Sequence, residues 1–123
     1  MKITAPLLLA NPCDEEEENL ATVCCFSAQG DMFLMSRYPD EDELEISLGD
    51  NDPSSLAGVK VTLSQTRLLL EVAASDVDVL NGDDHLEIQF DAEATDMQEL
   101  EQTLTLILDG TGTYVSELDV AKT

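Results

Sequence analysis

The sequence predicts an α+β fold that is mostly β: an antiparallel sheet of about six strands with one C-terminal amphipathic helix packed on one face. Two observations carry that expectation. Glu43–Leu48, Val59–Ser64 and His85–Phe90 alternate polar and apolar residues, the period-two pattern of strands with one wet face and one buried face. Thr95–Leu108 instead places Met97, Leu100, Leu104, Ile107 and Leu108 at helical spacing. Connections between these segments are short and rich in Gly, Asp, Asn and Pro, which suits hairpins better than parallel crossovers.

Taken in order, Met1–Ala10 reads as a first edge strand. Its leucine triplet faintly resembles a signal peptide, but Pro6 interrupts it and acidic residues follow where small residues would mark cleavage. Asn11–Asn19 contains four adjacent glutamates that repel one another, so an exposed loop is expected. Ala21–Ala28 and Met32–Tyr38 are two apolar runs around Gln29-Gly30-Asp31, a hairpin pattern. Pro39–Asp42 turns the chain into the alternating segment 43–48, and Gly49–Ser55 is a loop. Val59–Ser64 and Arg67–Val72 form the arms of a further hairpin, and Ala73–Leu80 reads as a short helix. After the strand 85–90, Thr95 is placed to cap the main helix with Gln98 as its capping-box partner. Asp109-Gly110 stops that helix, and Gly112–Ser116 adds a last short strand. The hydrophobic face of the helix is expected to pack on a sheet face containing Ile46, Val61, Leu70, Ile88 and Phe90. The whole chain, 1–123, is one domain: an edge segment with an acidic loop (1–19), a core (20–116) and a tail (117–123).

Composition sets the boundaries of function. The 123 residues include 27 Asp or Glu and only 5 Lys or Arg, a formal net charge of −22, while a hydrophobic fraction of 43% is enough for a packed core. Direct binding to nucleic acid or to an anionic membrane is excluded by like-charge repulsion. No run approaches the ~18 apolar residues of a membrane span. Cys13, Cys24 and Cys25 are odd in number, and the adjacent pair points to opposite faces of a strand, so no disulfide framework is encoded. Small buried thiols in a reducing cytoplasm are the expected setting.

Sites for chemistry are scarce. His85 is the single histidine; a Ser116–His85–carboxylate set can be written on paper, but no Gly-x-Ser-x-Gly elbow supports it. Asp50-Asn51-Asp52 begins like a calcium loop, yet Ser55 and Val61 stand where glycine and glutamate are required. One histidine and three scattered cysteines do not make a zinc site. Gly110-Thr111-Gly112 lacks the rest of a dinucleotide loop, and no phosphate-binding Gly-Lys-Ser/Thr is present. The expectation is therefore a protein with no catalytic residues, metal or cofactor.

Acidity is the remaining signal. A charge of −22 lies well beyond the magnitude of roughly 2–8 that suffices for solubility in a small domain, and self-repulsion at that level costs stability. A cation-seeking surface accounts for it better than a merely solvated one. The row Asp40, Glu41, Asp42, Glu43, Glu45, Asp50 and Asp52 is the expected partner-binding surface, because Glu43 and Glu45 share a strand face and the others flank it. Glu15–Glu18 are the weaker choice, since ordering a loop on binding costs entropy.

Several segments, read as a series, resemble the bacterial immunity protein 10 family of polymorphic toxin systems. They are Phe33–Arg37, Leu44–Leu48, Gly58-Val59, Leu68–Val72 running into Ala73-Ala74, Leu80, Leu86–Phe90 and the helix Met97–Leu108. The likeness spans about 26–109 and rests on element order and apolar pattern. Where the family often shows paired glycines before its central strand, this chain has Leu56-Ala57-Gly58. The resemblance implies a small, mostly-β protein, without catalytic residues, that binds and neutralises a cognate toxin. If that toxin is a nuclease, its groove is basic and would attract an acidic inhibitor. Two other classes fit the composition: a DNA mimic that inhibits a nucleic-acid-binding protein, and a chaperone for a basic secreted partner.

Overall fold

The computed structural model describes residues 2–49, 52–80 and 82–117. Among these, ten strands form two five-stranded sheets. The first sheet joins β2 (Leu9–Asp14), β3 (Leu20–Phe26), β4 (Met32–Arg37), β5 (Leu44–Leu48) and β6 (Ser54–Leu56) in chain order, every pair antiparallel. We call it the meander sheet. The second, mixed sheet has the order β1-β9-β8-β7-β10, built from β1 (Lys2–Thr4), β7 (Lys60–Leu63), β8 (Arg67–Glu71), β9 (His85–Gln89) and β10 (Thr113–Ser116). The main helix is α1 (Met97–Leu108).

The mostly-β class and the C-terminal helix agree with the sequence, but the single sheet of about six strands does not. Two sheets form because short segments without alternation also pair. β6 takes the last two residues of the expected 49–55 loop together with Leu56, and β2 runs through Asn11–Asp14, the start of the expected acidic loop. β2 is a sheet edge, where Pro12 is tolerated because no further strand needs its missing N–H, and its pairing with β3 shifts register between Asn11 and Asp14. Glu15–Glu17 form one 3-10 turn rather than open loop. Glu18 and Asn19 then take positive φ (59° and 67°) to reverse the chain into β3.

The antiparallel pairing expected for the sheet holds for most strand pairs but not for β1 and β10. β1 pairs parallel with β9, and β10 pairs parallel with β7. Both lie at the edges of the mixed sheet, so the terminal segments cover edges that would otherwise offer free N–H and C=O groups. The expected short helix at 73–80 is a 3-10 helix, Ala74–Leu80, with Leu80 buried beneath it. Of the expected 117–123 tail, Glu117 donates its N–H to the Leu63 carbonyl at 2.7 Å, and residues 118–123 lie outside those described.

Alternation decides what is buried. Val23, Cys25, Phe33, Met35, Leu44, Ile46 and Leu48 of the meander sheet join Val61, Leu63, Leu68, Leu70, Leu86 and Ile88 of the mixed sheet in one core. The face foreseen as continuous is thus two surfaces: Ile46 belongs to one sheet, and Val61, Leu70 and Ile88 to the other. The helix does not lie over the middle of that set. Its main neighbours are β2 and β3 of the meander sheet and β10 of the mixed sheet, where Leu100, Leu104, Ile107 and Leu108 are buried.

Local chemistry fixes the helix ends. Asp96, not Thr95, is the N-cap, its carboxylate accepting the Glu99 N–H at 3.0 Å. Thr95 is buried and serves another contact: its Oγ1 accepts the Leu8 N–H at 3.1 Å, tying the helix entrance to the β1–β2 connection. At the other end, the Arg37 guanidinium donates to the carbonyls of Leu106 (3.3 Å), Ile107 (3.4 Å) and Asp109. Glu101 is held from β10, accepting hydrogen bonds from Tyr114 Oη at 2.9 Å and Ser116 Oγ at 2.6 Å.

Two of these groups make stability pH-dependent at the alkaline end. Burial, with the neighbouring Cys24, pushes the Cys25 thiol up from 9.0 to about 11. Tyr114 is also raised, by burial and by its bond to the Glu101 carboxylate. In both cases the folded state holds the proton more tightly than the unfolded chain, so their contribution is complete at neutral pH and falls as pH rises past the unfolded values, 9.0 for Cys25 and 10.0 for Tyr114. Urea midpoints are expected to drop between pH 9 and 11, with a shallower drop in Cys25→Ala. Equal slopes in the two proteins would contradict this assignment.

Candidate functional site

Register places side chains on faces. In the meander sheet, Asn11, Thr22, Ser36, Glu45 and Ser55 stand in one row across the sheet, and Leu9, Cys24, Leu34 and Ser47 in the next. Phe26 and Met32 pair beyond them. All occupy the face opposite the core, because the intervening Val23, Cys25, Phe33, Met35 and Ile46 are buried.

One end of this outer face is acidic. Asp40, Glu41, Asp42, Glu43 and Glu45 are all exposed, and Glu41, Glu43 and Glu45 line one shallow depression with Ser36, Ser55, Tyr38 and Arg37. The turn that carries them is anchored at several points. Glu41 N–H donates to the Tyr38 carbonyl at 3.1 Å, and Arg37 Nε donates to the Glu41 carbonyl at 2.9 Å. Thr111 Oγ1 donates to the Asp42 carbonyl at 2.6 Å. Arg37 is the cation nearest these carboxylates, and its guanidinium is engaged by the end of α1. Asp52 is exposed beyond the far end of β5, and Asp50 lies outside the described residues. The structure therefore brings Glu41, Glu43 and Glu45 together and leaves Asp52 apart from them.

The other end of the same face is apolar. Leu9 and Phe26 are 52% and 55% exposed, with half-buried Cys24, Met32 and Leu34 between them. Sequence reasoning missed this strip. The signal was present in Leu20–Phe26, which is apolar at both parities, whereas one covered face requires apolar residues at only one.

The mixed sheet has a different outer face. Lys2, Lys60 and Arg67, three of the four described Lys and Arg residues, stand there with His85, Glu71 and Glu87. Glu87 meets Lys2 at 3.5 Å and Arg67 at 3.4 Å. His85 Nδ1 lies 2.9 Å from Asp84 Oδ1, and this hydrogen bond lowers the Asp84 pKa. The Ser116–His85 pairing written from sequence is not assembled. Ser116 is on β10 and His85 on β9, three strand spacings apart, or about 14 Å.

Burial raises the pKa of both Cys24 and Cys25, so at neutral pH they are protonated thiols rather than nucleophiles. Among the described residues, no three His, Cys, Asp or Glu side chains gather as a metal site, and no helix is long and apolar enough to cross a membrane. No protein-family model, curated protein or solved structure matches the chain.

Proposed function

We propose that this protein acts without catalysis, binding a basic partner through the outer face of the meander sheet. We further propose that the partner is a cognate bacterial toxin, as its resemblance to immunity protein 10 implies. The observation that carries the reading is the separation of charge. Glu41, Glu43 and Glu45 share one depression whose single lining cation, Arg37, is tied to the carbonyls at the end of α1, whereas Lys2, Lys60 and Arg67 are gathered on the other sheet. A net charge of −22 attracts a cationic protein from a distance, and this asymmetry turns the acidic face toward it. A toxin that cleaves nucleic acid presents the required basic groove.

Inspection of the neighbouring gene for a toxin domain, followed by co-expression with any such domain, tests the reading in cells. The wild type is expected to restore growth, and His85→Ala is expected to protect as well as the wild type, since His85 lies on the opposite sheet. Glu43→Lys combined with Glu45→Lys is expected to protect less. Loss of protection by folded His85→Ala that still binds the toxin would replace this account with an enzymatic one. Failure of the wild type to bind or protect would remove the toxin from it.

A further inference from the structure

The outer face of the meander sheet holds more than carboxylates, and the apolar strip beside them has no role in the core. Leu9, Cys24 and Leu34 are register partners on adjacent strands, and Phe26 and Met32 continue the strip by one pleat. The next row in the other direction contains Glu45, so apolar and acidic ends belong to one continuous surface. Among the described residues, Leu9 and Phe26 together with Leu106 are the exposed large hydrophobics, and the first two fall on this face. In a chain with 27 acidic residues, the outward positions of β3 and of β4 hold none.

We propose that this strip is the anchoring half of a two-part docking surface, and that its occupant is a cationic protein segment carrying apolar side chains. Such a segment sets its Lys or Arg residues against Glu41, Glu43 and Glu45 and its apolar residues against Phe26, Met32, Leu34 and Leu9. The charge argues against a second copy of this chain, because pairing two such faces would bring two acidic clusters together on molecules of net charge −22. A purely hydrophilic polycation would leave the strip uncovered. The division of labour follows from physics: carboxylates at the rim accelerate encounter, while burying apolar side chains slows dissociation. This inference rests on the proposed function, since it names where and how the basic partner is held.

Two synthetic twelve-residue peptides of equal charge separate the two ideas, one alternating Lys and Leu, the other alternating Lys and Ser. Binding of the full chain is followed by calorimetry at low and at physiological salt. The Lys/Leu peptide is expected to bind at least tenfold more tightly. Phe26→Ser with Leu9→Ser is expected to abolish that advantage while leaving Lys/Ser binding and the circular dichroism spectrum unchanged. Glu43→Lys with Glu45→Lys is expected to weaken both peptides. Equal affinity of the two peptides for the wild type, or an unaffected Lys/Leu advantage in Phe26→Ser with Leu9→Ser, overturns the anchoring strip but leaves an acidic binding face intact. Binding of neither peptide at low salt overturns the acidic face as well. Should Phe26→Ser with Leu9→Ser fail to fold, Leu9→Ser alone, at a 52% exposed position on an edge strand, is expected to cut the advantage severalfold, and an undiminished advantage overturns the anchoring strip. A wild-type dimer in sedimentation that Phe26→Leu or Leu9→Ser dissolves would assign the strip to self-association and overturn the proposal.

Discussion

Leu104→Ala is expected to lower the free energy of unfolding by ~2–5 kcal/mol, as large-to-small changes in packed cores do. Leu104 is fully buried at the middle of α1, with Leu100 one turn before it and Ile107 and Leu108 one turn after. It belongs to the buried cluster that both sheets line, and α1 as a whole packs against β2, β3 and β10, so shortening it leaves a cavity in that core. Collapse into the cavity would require the helix to shift, and three ties resist that: Thr95 to Leu8, Arg37 to the last turn, and Glu101 to β10. Equilibrium unfolding in urea at neutral pH measures the loss. A value under ~0.5 kcal/mol, typical of surface changes, would place the helix off the core.

Arg37→Ala is expected to cost about 1.5–3 kcal/mol, the range for hydrogen bonds made by a charged group. The last carbonyls of α1 have no partner within the helix and carry its negative dipole end. Arg37 reaches them from the end of β4 and also holds the Glu41 carbonyl. The same substitution should loosen the 38–43 turn, because that anchor is lost. Hydrogen exchange at Glu41 and at the end of α1 is expected to accelerate together. Arg37→Lys should recover only part of the stability, since an ammonium cannot reproduce the planar fork. A loss under ~0.5 kcal/mol in Arg37→Ala, with unchanged exchange at both places, would mean the guanidinium is an ornament of the surface.

The legible parts of the fold were those where side-chain period and burial agree. β5, β7 and β9 announce themselves because Leu44/Ile46/Leu48, Val61/Leu63 and Leu86/Ile88 alternate with polar residues, and α1 because its buried residues follow a helical period. β1 and β10 were expected as strands but without their partners, and β2 and β6 were read largely as loop. They are short or carry Asn and Pro, and what recruits them is hydrogen bonding to an existing edge rather than a hydrophobic face. Parallel pairing of β1 with β9 joins residues more than eighty positions apart, which no local pattern specifies. Assignment of residues to one sheet or the other is likewise invisible in a period of two: Ile46 and Ile88 look alike in sequence and line different sheets.

The candidate surface was legible in part for the same reason. Glu43 and Glu45 follow from alternation, and Glu41 joins them only because Arg37 and Thr111 fix the turn. Thr111 comes from the far side of α1, so its hydrogen bond to Asp42 is a product of the folded chain rather than of the 40–45 segment.

The claim at the centre is that the acidic end of the meander sheet steers a basic toxin into contact. Stopped-flow association with a candidate basic toxin domain, such as one found encoded next to the gene, over a range of salt concentrations tests it most directly. Wild-type association should be fast at low salt and fall steeply as salt is added, because screening removes the attraction. Glu43→Lys with Glu45→Lys should slow association by roughly tenfold or more at low salt and flatten the salt dependence. Glu16→Lys with Glu17→Lys, equal in charge change but on the connection between β2 and β3, should do much less. Abolished binding in the Glu16/Glu17 variant with normal rates in the Glu43/Glu45 variant would move the surface to the acidic turn. Rates that ignore both changes at low salt would leave the acidity as a device for solubility alone.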